Sequence, residues 1–153
     1  MWKYVYIKLS VYIWRMLVNK TEFPIKFSEV DSLRVVWHGH YVRYFEDGRE
    51  AFGKQYKLGY LDVYEHGLAV PLVDLQVNFK RILEYGDSAV VETTFINSPA
   101  AKLMFEYKVS SAKHGYLACT GRSTQVFMNP ATKELHITMP AFMEMWKQQQ
   151  GLK

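Results

Sequence analysis

Cysteine is almost missing from this 153-residue chain: Cys119 stands alone. No disulfide can therefore close within it, and a reducing compartment, the cytoplasm, is expected. Five prolines and nine glycines are too few for a low-complexity or collagen-like chain. No uncharged apolar run reaches the ~20 residues that a membrane span requires, because Lys8 and Arg15 interrupt the most apolar stretch. The net charge of +4 resides in the first twenty residues, which hold Lys3, Lys8, Arg15 and Lys20 and no acid. Taking those four from the 19 basic residues leaves 15 to set against 15 acidic ones. The body is neutral, so the electrostatic footprint of a nucleic-acid-binding protein is missing.

What is present is a chain 49% hydrophobic and 16% aromatic, enough for one domain with a core. The expected organisation is an N-terminal extension over residues 1–20 and a domain over residues 21–150. Trp2, Val5, Tyr6, Leu9, Ile13, Met16 and Leu17 recur at helical spacing, which fits an amphipathic helix resting on a membrane surface or a partner. The other reading is that this stretch was never selected as structure, since Met16 would serve equally well as a first residue.

Residues 21–31 alternate, with Phe23, Ile25, Phe27, Glu29 and Asp31 on one side, and predict a strand that Pro24 places at an edge or at a strand start. Tyr41, Tyr44, Phe45, Gly48, Phe52 and Tyr56 recur at spacings of three and four, which predicts a long helix over 38–57 with Gly59 as its stop. Gly48 and Ala51 would let that helix lie close to a sheet. A helical turn over 60–66 is followed by four hairpin-linked strands, over 73–79, 89–96, 103–109 and 116–128, and by a short helix over 138–149. The fold class is α+β: one long helix packed on an antiparallel sheet of about five strands, with a short C-terminal helix. The aromatic content suggests an apolar outer sheet face and hence a homo-oligomer, economically a dimer joined edge to edge.

Most chemical motifs are missing. There is no phosphate-binding glycine loop, no zinc-protease helix, no cysteine pair at metal spacing and no G-x-S-x-G elbow. Trp37-His38-Gly39-His40 sets two imidazoles two residues apart, a spacing that diverges at a helix start, so no metal site is expected. Cys119 lies mid-strand and reads as a buried small side chain.

What remains is the junction at residues 31–41, where a strand ends in a carboxylate and a helix begins seven residues later. A helix N-terminus offers unpaired N–H groups and a partial positive charge that suit an oxyanion, and Asp31 could hold a water beside it. That is an outline of acyl-transfer chemistry. The alternative, that Asp31 merely ends a strand while His38 or His40 caps the helix, stays open on physical grounds.

The run EVDSLRVVWHGHYVRYFEDGR, residues 29–49, resembles the D-x-D-x-x-G-x-V-x-x-x-x-Y-x-x-Y-F-E-x-x-R signature of the 4-hydroxybenzoyl-CoA thioesterase-like branch of the hotdog-fold superfamily. The resemblance implies a hotdog fold and hydrolysis of an acyl-CoA or acyl-carrier-protein thioester without metal or organic cofactor. It places the catalytic carboxylate, as general base or nucleophile, on Asp31. The oxyanion donor falls on the N–H at His38, and the family's core tyrosine on Tyr41. Two departures stand out. Arg34 replaces a glycine, which would set a bulky cation near the substrate entrance, and Glu29 replaces the first Asp, where a solvent-facing position is expected.

The resemblance also implies nucleotide phosphates held by basic residues, for which Lys80, Arg81 and Lys102 are candidates, and places Tyr41 and Arg34 among substrate-binding positions. Tyr44, Phe45 and Phe52 would line an acyl site or else form plain core. A homodimer or homotetramer is implied as well. The competing class is a non-catalytic acyl-CoA or lipid-binding hotdog protein.

Overall fold

A computed structural model describes residues 16–152; the expectations for the extension before Met16 lie outside the described residues. Five strands form one antiparallel sheet in the order β1-β3-β4-β5-β2. They are β1 (Val18–Pro24), β2 (Leu72–Phe79), β3 (Ser88–Ile96), β4 (Lys102–Ser111) and β5 (Leu117–Val126). Helix α1 (Gly39–Tyr56) covers one face, α2 (Tyr60–Glu65) follows it, and α3 (Ala141–Gln149) closes the chain. This is the expected α+β architecture.

The helix forms where its apolar spacing put it: Tyr41, Tyr44, Phe45, Gly48 and Phe52 are the buried stripe. Phe45 stacks on Tyr107 with ring centroids 4.6 Å apart, and Phe52 meets Phe95 and Phe105. Tyr44, Phe45 and Phe52 are thus core. At Gly48 an added Cβ would lie 2.6 Å from both Thr93 Oγ1 and Val91 Cγ1, so only glycine lets α1 approach β3 this closely. A Cβ on Gly121 would strike the Phe45 ring. Both glycines are spacing devices between the two layers.

The helix stop is different from the expected one. Lys57 takes the left-handed conformation with φ 55° and its N–H bonds the Gly53 carbonyl, while Gly59 starts α2, donating its N–H to Asp62 Oδ2 at 2.7 Å. Glycine is required at 53 because the chain folds back there, leaving a Cβ on Gly53 only 2.7 Å from Gly59 Cα. Helix α3 docks over this end through Trp146, whose indole N–H donates to the Tyr56 carbonyl at 2.7 Å.

Two further expectations are corrected. The first strand stops at Pro24 rather than running to Asp31. Proline has no N–H to extend the ladder, and a 3-10 turn at Phe27–Glu29 follows. The outer sheet face is polar rather than apolar. In register across it stand Glu92, Lys108, Thr120 and Asn78, then Glu106, Arg122 and Gln76, with ion pairs Lys108–Glu92 and Arg122–Glu106. The aromatics went into the helix-facing layer instead. Exposed apolar side chains gather on edge strand β2 and nearby loops, at Leu72, Val73, Phe79, Ile82 and Tyr85. Among the described residues no helix is long and apolar enough to cross a membrane.

Candidate active site

Residues 29–37 fold into a small hairpin leading into α1. Val30 and Val36 form an antiparallel bridge, the Asp31 N–H donates to the Val35 carbonyl at 2.9 Å, and the Arg34 N–H donates to the Asp31 carbonyl at 2.9 Å. Arg34 has φ 63°. A tight turn followed by one left-handed residue is a common three-residue hairpin closure, and that last position favours glycine. The departure at Arg34 thus has a backbone cost, borne by φ, and its side chain is exposed beside the junction.

Asp31 sits exposed at the hairpin tip. Its Oδ1 accepts the Leu33 N–H at 2.8 Å, the local turn that Asp is suited to make, and its other carboxylate oxygen takes no hydrogen bond among the described residues. The hairpin is tied at its base, where the Trp37 N–H donates to the Glu29 carbonyl at 2.9 Å, and along its side, where the Val36 N–H donates to the Leu83 carbonyl at 2.8 Å.

Glu29 is only 3% exposed, which overturns its expected solvent-facing position. Its Oε2 accepts the Lys26 N–H at 2.9 Å and the Tyr44 hydroxyl at 2.8 Å. The 3-10 turn, which breaks strand alternation, swings it inward. Burial and the bond to Glu29 push the Tyr44 phenol far above its ordinary range, so it stays a donor. This link from α1 to the loop before Asp31 was missed by sequence reasoning; the signal available was an acid two residues before Asp31 and fifteen before a stripe tyrosine.

At the helix start the His38 and Gly39 N–H groups take no partner among the described residues, whereas the His40 N–H already bonds the Trp37 carbonyl at 2.9 Å. The open donors are thus at His38, as expected, and at Gly39, which was not anticipated. Gly39 is glycine for a local reason: a Cβ there would run into the Trp37 ring. That indole packs on His38 with centroids 4.6 Å apart and on His40 at 5.7 Å. The two imidazoles flank a tryptophan rather than converge, and among the described residues no group of three or more His, Cys, Asp or Glu is placed to hold a metal ion.

The other candidates separate into two groups. Lys80 and Arg81 follow β2 at the same end as Asp31, both donating N–H groups to the Ala118 carbonyl. The Arg81 guanidinium lies 5.3 Å from the Tyr116 ring centroid. Tyr41 is buried, in edge contact with Tyr44 and Phe79, and burial raises its phenol to about 12. Lys102 begins β4, opposite Val126, at the far end of the sheet from Asp31, so one protomer does not bring it to the junction. Cys119 is buried, and burial lifts its thiol to about 11, which suits core rather than nucleophile.

Comparison with known proteins agrees with this architecture. Residues 25–147 match the family described as the thioesterase-like superfamily. YneP of Bacillus subtilis, provisionally named an acyl-CoA thioesterase, is 32% identical over 94 residues, which cover 61% of this chain and 68% of that protein. The DHNA-CoA thioesterase of Staphylococcus aureus superposes with TM-score 0.76 at 25% identity, over 88% of this chain and 91% of that one. A 4-hydroxybenzoyl-CoA thioesterase mutant complexed with 4-hydroxybenzoyl-CoA shares the fold, with TM-score 0.73 at 20% identity, over 85% of this chain and 98% of that one.

Proposed function

The chain belongs to the thioesterase-like superfamily, and from that premise we propose that it hydrolyses an acyl-CoA, or an acyl group on carrier protein, to free acid and thiol. The observation that carries the reading is the juxtaposition at the junction. A carboxylate with one uncommitted oxygen tips a hairpin whose base runs directly into two open N–H groups at His38 and Gly39. Asp31 stands two ladder positions beyond the level at which the Trp37 N–H meets the Glu29 carbonyl, about 7 Å along the hairpin at strand rise.

In this reading the His38 and Gly39 N–H groups receive the oxygen of the tetrahedral intermediate, each worth about 3 kcal/mol if aimed at it. Asp31 takes the proton from water, or attacks the carbonyl itself to give an anhydride that water then opens. The thiolate leaves and is protonated. Lys80 and Arg81, at the same end, meet the nucleotide phosphates, and no metal or organic cofactor is called on. The exposed apolar edge of β2 is covered by a second copy, and the protein works in the cytoplasm.

The test is free-thiol release from short, medium, long and aromatic acyl-CoAs, with native protein beside Asp31→Asn. Release that Asp31→Asn lowers by roughly 10² to 10⁴ supports the assignment, and full activity in that variant removes Asp31 from it. Tight acyl-CoA binding without release by the native protein establishes the non-catalytic binder instead, a reading favoured only by the engagement of Asp31 Oδ1 in its own turn.

A further inference from the structure

A second concavity lies away from the junction, walled by the C-terminal half of α1, by α2, and by the start of β4 and the end of β5. Its volume is about 360 Å³, within the range of ligand pockets. Leu58, Val63, Leu103 and Phe105 give it apolar walls. Among the polar side chains in that lining are Arg49 and Gln125. Gln125 is 5% exposed; its Nε2 donates to the Val70 carbonyl at 2.7 Å, which fixes the orientation of the amide. Its Oε1 is buried with no hydrogen-bond partner among the described residues. An acceptor left in that state destabilises the fold until something donates to it.

The Arg49 side chain is 26% exposed; it also interacts with the Tyr107 hydroxyl, which occupies only part of a guanidinium with five N–H donors, and Glu46, the acid it pairs with, is 3.9 Å away, beyond hydrogen-bond length. Arginine only donates and the Gln125 oxygen only accepts. A hydroxyl does both. A hydrocarbon satisfies neither, and a carboxylate brings no proton for Gln125 while opposing Glu46 and Glu50, which also line the cleft.

We propose that this cleft binds an apolar molecule by a hydroxyl group held between Gln125 Oε1 and the Arg49 guanidinium. The cleft is at the end of the sheet opposite Asp31, and the proposal does not depend on the thioesterase reading. The hydroxyl can come from a free small molecule or from the remote end of an acyl group.

A cavity of about 150 Å³ accommodates benzene, so a two-ring probe is suitable here. The experiment titrates methyl-labelled native protein with 2-naphthol and with 2-methylnaphthalene, which differ in one hydroxyl replaced by a methyl. The expected result is movement of the Leu58, Val63 and Leu103 methyl signals, with 2-naphthol bound about tenfold more tightly, the scale of one buried hydrogen bond. Gln125→Leu should abolish that preference and retain binding of both probes. Equal affinity of the two probes for the native protein, or no movement of these signals, overturns the proposal without recourse to any variant. An acyl-CoA whose long aliphatic chain ends in a hydroxyl, long enough to run along the sheet from the junction, then separates the sources. If it displaces bound 2-naphthol the hydroxyl is the substrate's, and if it does not the occupant is a free small molecule; both results uphold the site.

Discussion

Replacing Tyr44 by Phe removes one oxygen from the interior and tests how the Asp31 hairpin is held. The hydroxyl donates to Glu29 Oε2 at 2.8 Å, and Glu29 is 3% exposed, with the Lys26 N–H its other donor. A hydrogen bond to a carboxylate contributes about 1.5–3 kcal/mol, and a buried acceptor deprived of its donor costs on the same scale. Tyr44→Phe should therefore destabilise the fold by about 2 kcal/mol, a fall in Tm of roughly 4–8 °C for a domain of this size. Denaturant unfolding of native protein, Tyr44→Phe, Glu29→Gln and the double variant measures both the loss and the coupling. The local consequence is read by amide exchange: the Trp37 and Asp31 N–H groups, which close the hairpin onto Glu29 and Val35, should exchange faster in Tyr44→Phe while the β3–β4 ladder keeps its protection. A Tyr44→Phe protein within 0.5 kcal/mol of native, with unchanged exchange at Trp37, would refute the view that Glu29 and Tyr44 hold the hairpin.

Arg34→Gly should stabilise the protein by up to about 1 kcal/mol, since a side chain in the left-handed region costs about 1–2 kcal/mol and glycine's extra chain entropy returns part of it; an unchanged midpoint in denaturant would count against the strained-turn account. Gly48→Ala should destabilise by about 1–3 kcal/mol, because the new methyl lies 2.6 Å from Thr93 Oγ1 and Val91 Cγ1, and thermal unfolding reads it. Asp87 sits at the turn between β2 and β3, where burial alone would raise its carboxyl. Hydrogen bonds from the Ser111 hydroxyl and from the Lys113 and Ser88 N–H groups outweigh burial and hold it below the usual range. Its folded value is the depressed one, so its contribution is present above the unfolded value near ~3.9 and is lost as pH falls through the folded value. Asp87→Asn should thus lower stability at neutral pH and flatten the acid side of the stability profile, measured by urea unfolding from pH 7 down to 2.

Periodicity placed the long helix and the four later strands in their order. The 3.6-residue stripe from Tyr41 to Phe52 and the alternation along β3, β4 and β5 survive in the structure because each pattern buries one face, whereas edge strand β2 keeps its alternation with Val73 and Phe79 exposed. The sequence likewise picked out the junction, since a carboxylate seven residues before a helix start is a local feature of the chain. Other features depended on contacts between residues distant in sequence or on backbone angles that no spacing displays. Glu29 looked solvent-facing by strand alternation, and only the 3-10 turn after Pro24 carried it inward to Tyr44. At Arg34 only the φ of 63° revealed that a turn conformation favouring glycine stands behind the family's glycine at that position. Gly39 became a candidate donor because its N–H, like that of His38, takes no partner among the described residues, and Lys102 was set at the opposite end of the sheet by register. Composition suggested an apolar outer sheet face, but it cannot tell which side of a strand an aromatic takes; packing against α1 drew the aromatics inward and left ion pairs outside. Burial pattern is written locally in the chain, whereas register, turn handedness and the partners of buried polar groups are decided when the layers meet.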